Sequence, residues 1–141
     1  MNSYIAGLMA LLFITCGSAQ AQFFSSDDTV KDVTTGVTWL RCSVGQVWDP
    51  SVETCTGKIV KLNHEEIAIA LTQAKEQLGG DWRLPSRKEL MSLVCDDCAS
   101  PKINTKYFPN LSSEAYWTGD KNWMNPRTYW TVNFMTGHTY N

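Results

Sequence analysis

The sequence predicts an α+β fold in which two helices pack on small, mainly antiparallel sheets stapled by disulfides. Apolar residues recur at helical spacing over 63–78. Alternating β-branched and aromatic residues over 30–41 and 129–140 predict hairpins near both ends of the chain. Between them, the segment 79–90 ends one helix and begins another.

The N-terminus reads as a secretory signal. An apolar run over 5–15 is too short to span a bilayer. It is followed by Ala19-Gln20-Ala21, the small-x-small pattern of a cleavage site. We therefore expect export to the periplasm or cell surface. Cys16 leaves lipidation open as an alternative.

Composition favours one exported domain. The chain carries 12 basic and 14 acidic side chains, a net charge of −2. That balance argues against nucleic acid or an anionic membrane as the main partner, since both require concentrated positive charge. We predict a signal peptide over 1–21, a flexible leader over 22–29 and one domain over 30–141, with no stable membrane span after cleavage.

Four cysteines follow the signal. An even number in an exported chain predicts two disulfides, with three connectivities open. We expect sequence neighbours to pair, which gives Cys42–Cys55 and Cys95–Cys98.

The first half of the domain should contain a hairpin, a loop and a strand. Over 30–41, a Thr-Thr-Gly turn separates two β-branched stretches, and its Gly suits a tight turn. The residues 42–55 read as a loop closed by the first disulfide. A short strand is expected over 58–62.

Helix signals are strongest in the middle of the chain. A helix over Asn63–Leu78 has Asn63 as its cap and Glu66 at the capping-box position. Its apolar face is predicted from helical spacing. The residues on that face are Ile67, Ala70, Leu71, Ala74 and Leu78.

The segment 79–90 reads Gly-Gly-Asp-Trp-Arg-Leu-Pro-Ser-Arg-Lys-Glu-Leu. Its two glycines can take the positive φ that ends a helix. Trp82 and Leu84 alternate with polar residues, which predicts a short strand. Ser86 and Glu89 are spaced as a second capping box, so a helix should run from Arg87 to Val94.

The last part of the chain is rich in aromatic residues. Tyr116-Trp117 predicts a short buried strand, and 129–140 a terminal hairpin with Gly137 in its turn. The loop 121–127 is the candidate ligand site. A Trp ring can stack on the apolar face of a sugar, while amides and cations bind hydroxyls or sulfates. The alternative is a Trp buried in the core. The candidate residues are Lys121, Trp123, Asn125 and Arg127.

No pattern indicates catalysis. Two carboxylates lie between Cys95 and Cys98, which disfavours the thiolate that a redox site needs. The spacing of Cys42 and Cys55 does not suit a zinc knuckle. His64 and His138 are each expected to be packing or surface residues. We predict a protein that is not an enzyme and holds no metal or cofactor.

Several ordered motifs resemble the Lcl C-terminal domain family, named for a bacterial collagen-like adhesin. They are Thr-Gly-Val-Thr-Trp-Leu-Arg-Cys over 35–42, the segment 79–90, Ile-Asn-Thr-Lys-Tyr-Phe-Pro over 103–109, Tyr-Trp-Thr over 116–118 and Trp-Thr-Val-Asn-Phe over 130–134. The resemblance implies a C-type-lectin-like fold, related to the formylglycine-generating enzyme superfamily, on an exported domain.

The resemblance also implies function, within limits. The namesake domain is associated with sulfated glycosaminoglycans. This chain has no collagen-like repeats, so a trimeric stalk does not carry over. It also lacks the Glu-Pro-Asn and Trp-Asn-Asp motifs of calcium-dependent lectins.

Three functions follow as hypotheses. The first is an exported binding module that recognises a glycan or an envelope or surface protein. The second is a structural or accessory subunit of a surface fibre or secretion assembly. The third is a thiol oxidoreductase using Cys95 and Cys98.

Overall fold

The structure is a computed structural model that describes residues 22–141. Within them, two helices and eight strands form a small mixed α/β domain with three antiparallel sheets and two disulfides. The predicted signal peptide lies outside these residues. The elements are β1 Phe23–Ser26, β2 Thr29–Asp32, β3 Thr38–Leu40, β4 Gln46–Asp49, β5 Thr54–Gly57, α1 His64–Leu78, α2 Arg87–Met91, β6 Tyr116–Lys121, β7 Tyr129–Asn133 and β8 His138–Tyr140.

The first sheet has the order β1-β2-β3. The predicted hairpin is confirmed, with Gly36 at φ 75° in its turn. The flexible leader predicted over 22–29 is wrong, because β1 pairs with β2 along its whole length. The cause is Phe23, whose buried ring lies 5.2 Å from that of Tyr107 and 5.8 Å from that of Phe108. A buried aromatic ring removes a large apolar area from water, so these contacts favour an ordered β1.

The second sheet is a hairpin of β4 and β5, where the sequence suggested a loop. Trp48 and Cys55 lie opposite each other, and the Cys42–Cys55 disulfide ties the hairpin to the segment that follows β3. The strand predicted over 58–62 is absent from the described fold. One backbone hydrogen bond, from the Val60 N–H to the Val44 carbonyl at 2.8 Å, joins that segment to the residues just before β4.

Both helices begin at the predicted capping boxes. Asn63 and Glu66 cap α1, and Ser86 and Glu89 cap α2. Helix α2 ends at Met91, three residues earlier than predicted. Bonds of the i to i+3 type then tighten the backbone, and Val94 bridges to Ile103 instead.

The segment joining the helices differs in part from its prediction. Gly79 ends α1 at φ 70°, as expected of a helix-terminating glycine. The short strand predicted at Trp82 and Leu84 is wrong, since residues 81–86 carry no ladder pairing. Pro85 instead accepts a single hydrogen bond, at 2.8 Å from the N–H of Gly119.

The third sheet, β6-β7-β8, contains the predicted terminal hairpin. Its inner face meets the first sheet and α2 in one core. Val30 and Val132 are completely buried there. The full buried cluster is Phe23, Val30, Leu90, Leu93, Ile103, Phe108, Val132 and Phe134. Burial of this apolar surface is the main source of the domain's stability.

A buried arginine joins three parts of the chain. The Arg41 guanidinium donates hydrogen bonds of 3.1 Å to the carbonyls of Asp27, Lys106 and Tyr107. It also lies 3.4 Å from the ring centroid of Trp48 in β4. The β1–β2 turn, the β4–β5 hairpin and the loop before β6 therefore converge on one cation. Burial lowers the pKa of Arg41 below its ordinary value.

We expect Arg41→Met to destabilise the domain by about 3 kcal/mol, since it leaves three inward carbonyls without donors and removes the cation from Trp48. Urea denaturation monitored by circular dichroism measures the change. Arg127→Met is the matched control at an exposed position and should shift stability by less than about 0.5 kcal/mol. Equal effects of the two variants would contradict the role assigned to Arg41.

A second arginine orders the start of α2. Arg83 donates through both terminal nitrogens to the Glu89 carboxylate, at 2.9 and 2.7 Å. The Ser86 N–H donates to the same carboxylate at 2.7 Å. The hydrogen bonds from Arg83 and then Ser86 lower the pKa of Glu89 from 4.5 to about 2.

The depressed pKa of Glu89 makes the free energy of unfolding depend on pH in the acid range. Because the folded pKa of Glu89 is depressed, its contribution is present above pH 4.5 and is lost as pH falls towards 2. Arg83 is 62% exposed, so solvent screening limits the contribution to about 1 kcal/mol. Glu89→Gln should therefore be less stable than the wild type at pH 7 but nearly equal near pH 2, in urea titrations at each pH. Glu76→Gln, at an exposed carboxylate of α1, is the control. A difference between wild type and Glu89→Gln that does not change with pH would refute the prediction.

Candidate functional site

The loop between β6 and β7 is closed and ordered by its own hydrogen bonds. The Asn122 N–H donates to the Thr128 carbonyl at 2.9 Å, which closes the loop at its base. The Asn122 side chain accepts from the Met124 N–H at 2.9 Å. Asn125 accepts from the Thr128 N–H at 2.9 Å through its carbonyl and from the Arg127 N–H at 3.4 Å through its side chain. Hydrogen bonds of Asn122 and Asn125, rather than strand pairing, therefore order the backbone of this loop.

This loop projects large apolar side chains into solvent. Trp123 is 84% exposed and Met124 is 74% exposed. The alternative of a core Trp is therefore wrong for Trp123. The buried member of the loop is Asn122, at 9% exposure, because its side chain is used to hold the backbone turn. A fixed backbone with an unburied indole is suited to contact a second molecule.

The loop base rests on the segment between the two helices. The Gly119 N–H donates to the Pro85 carbonyl, and the Asp120 carboxylate accepts from the Arg87 N–H at 2.7 Å. The Arg87 guanidinium lies 4.4 Å from the ring centroid of Trp130 in β7. These contacts accompany a register shift in β6 between Trp117 and Lys121. The segment 79–90 thus positions the loop.

An aromatic stack supports the loop from the side of α1. The His64 ring lies on that of Tyr129 with a centroid distance of 3.5 Å and an interplanar angle of 19°. The edge of Trp117 meets His64 at 5.9 Å. The Lys121 ammonium lies 5.6 Å from the Tyr129 centroid. Both histidines agree with their predictions, since His64 is a packing residue and His138 is exposed.

The structure places the four candidate ligand residues on one loop. Lys121 is the last residue of β6, and Trp123, Asn125 and Arg127 follow in the connection to β7. All four are exposed. Neither Lys121 nor Arg127 forms an ion pair within residues 22–141. The loop therefore combines an indole, an amide and two cations whose charges are not neutralised by the part of the chain that the structure describes.

Met124 was missing from the candidate residues. Its position beside Trp123 was visible, but methionine is ordinarily a core residue, and no local pattern indicates that it points outward. Tyr129 was also missed as a support, because its contact with His64 joins residues far apart in sequence.

The cysteines occur as the two predicted disulfides. Cys42 and Cys55 have an S–S distance of 2.03 Å, and Cys95 is bonded to Cys98. Each cysteine of residues 22–141 is thus oxidised. Across the same residues, no group of three His, Cys, Asp or Glu side chains is arranged to hold a metal ion. No helix there is long and apolar enough to cross a membrane.

Comparison with known proteins gives one match. Neither the curated proteins nor the solved structures contain a match to the chain. The model of the Lcl C-terminal domain matches residues 28–141, which include every motif that carried the resemblance. The chain therefore belongs to the Lcl C-terminal domain family.

Proposed function

We propose that this protein is an exported, non-enzymatic binding module that recognises a glycan through the loop 121–127. The single observation that carries the proposal is the 84% exposure of Trp123 on a loop whose backbone is held by Asn122 and Asn125. A preorganised loop loses little conformational entropy when it binds. An indole held in solvent gains by covering its apolar face.

The chemistry of the loop suits a sugar. The Trp123 ring offers a flat apolar surface to the C–H face of a pyranose. Asn125 can exchange hydrogen bonds with hydroxyls, while Lys121 and Arg127 donate to hydroxyls or to acidic substituents. A neutral sugar would depend mainly on the indole, and an acidic one on the cations as well.

A surface or envelope protein is the second candidate partner. Met124, 74% exposed beside Trp123, favours it, because Trp, Met and Arg are enriched in protein interfaces. An accessory subunit of a surface assembly would use the same loop in this way. Glycan and protein partners are distinguished by whether Met124 contributes to affinity.

The C-type-lectin-like fold and the export route belong to this proposal. Membership in the family supports the fold, and two disulfides support an oxidising compartment outside the cytoplasm. Cleavage after Ala21 would place the domain in the periplasm or at the cell surface. Mass spectrometry of the N-terminus of exported protein tests that part.

Trp123→Ala should reduce affinity for the bound glycan at least tenfold, since it removes the stacking surface. Trp123→Phe should retain part of the affinity. Arg127→Ala should weaken binding to acidic glycans and reduce its dependence on salt. A glycan array identifies the probe, and calorimetry with that glycan measures each variant.

Phe24→Ala is the matched control, because Phe24 is an aromatic residue of β1 with 64% exposure. It should bind as the wild type does. The proposal fails if the double variant Trp123→Ala plus Arg127→Ala keeps full affinity. The partner is a protein if the glycan array shows no binding while the domain retains a surface protein in a pull-down. In that case Met124→Ala should reduce affinity for that protein as much as Trp123→Ala does.

A further inference from the structure

A large cleft lies beneath α1, away from the exposed tip of the loop 121–127. It has a volume of about 1130 Å³, and its walls come from α1, β3 and the segments 59–62 and 80–85. Small-molecule sites typically measure about 300–1,000 Å³. The walls are mainly aliphatic and aromatic, with Leu40 and Trp39 on one side and Trp82 and Leu84 on another. The space is thus slightly larger than a typical small-molecule site and is lined mainly by apolar side chains.

Helix α1 contacts neighbouring residues near both of its ends and lies over the cleft between them. At its N-terminus, His64 stacks on Tyr129 at 3.5 Å. At its C-terminus, the Lys75 ammonium bonds the Asp81 carboxylate at 2.8 Å. Of the whole helix, Ile67 alone is buried.

The apolar face predicted for α1 is directed at this cleft. Ala70, Leu71 and Ala74 line it and are only half-buried. Leu78, predicted on the same face, is instead 48% exposed and does not line the cleft. The helix therefore forms one wall of the cleft and does not fill it.

The charged side chains of the cleft are already neutralised within the protein. Lys61 pairs with Glu114, both on the wall. Arg83 pairs with Glu89 at 2.7 Å, and Asp81 with Lys75. The sixth charged residue of the wall, Arg41, has its guanidinium bonded to three carbonyls. A charged group buried in the cleft would lose hydration and find each of these side chains already paired, which disfavours it relative to an uncharged group.

We propose that this cleft binds an uncharged apolar small molecule, such as a neutral alkyl chain. Apolar cavities bind apolar molecules because those molecules leave water without giving up hydrogen bonds. This site does not depend on the function proposed for the loop 121–127. It requires neither Trp123 nor Arg127.

Calorimetry on the purified protein tests the charge selection with three probes of equal chain length. They are 1-decanol, decanoate and decylammonium, each at pH 7. The expected result is saturable binding of 1-decanol that is at least tenfold tighter than that of either charged probe. Absence of saturable 1-decanol binding, or equal affinity for decanoate, would overturn the proposal.

Two tryptophan substitutions on α1 test the location. Ala74→Trp places an indole in the cleft and should weaken 1-decanol binding at least tenfold. Ile69→Trp is the matched control, because Ile69 is 61% exposed on the same helix, and it should leave binding unchanged. Full affinity in Ala74→Trp, with a wild-type circular dichroism spectrum, would show that the probe binds elsewhere.

A measurement on the wild-type protein locates the site without requiring that a variant fold correctly. In ¹³C-methyl NMR spectra, 1-decanol should shift the methyl signals of Ile67 and Ile103, which line the cleft, and leave those of Ile69 in place. Shifts at Ile69 without shifts at Ile67 would reject the cleft as the site. Binding that survives in Trp123→Ala would show that this site and the loop are separate.

Discussion

The fold depends on the burial of one cation, Arg41, which forms no ion pair with a carboxylate within residues 22–141. Each of its three guanidinium nitrogens donates to a backbone carbonyl, those of Asp27, Lys106 and Tyr107, and its flat face lies on Trp48. A buried charge is costly unless its hydrogen bonds are met. Three chain segments far apart in sequence must therefore be in place together. Short strands and small sheets are only marginally stable alone, and here they are held together by their contacts with the same side chain.

The segment 79–90 provides a second set of structural contacts, which connect the two helices to the third sheet. Its polar residues serve structure, since Ser86 and Glu89 cap α2 and Arg83 orders the Glu89 carboxylate. Its backbone also bonds β6 through Pro85 and Arg87. These polar side chains therefore support the structure, and the candidate recognition residues lie on the loop that the segment contacts.

Local signals were predictable from the sequence, and long-range pairings were not. Both capping boxes and both disulfides agree with the predictions, because each is specified within 3 to 13 residues. Strand β1 was missed since its order comes from Phe23 meeting Tyr107 and Phe108 far along the chain. The loop 121–127 was located, but the exposure of Trp123 depends on which core positions other residues already occupy.

Helix α1 contributes to both candidate surfaces. Its first residue, His64, stacks on Tyr129 beside the loop, and its inward residues Ala70 and Ala74 line the cleft. Ile67 is its one buried residue, and its other inward residues face the cleft rather than a packed core. Substitutions within the helix therefore affect the cleft first, while loss of the His64 contact would affect the loop. Variants in the middle of α1 and variants at Trp123 can thus separate the two surfaces in one protein.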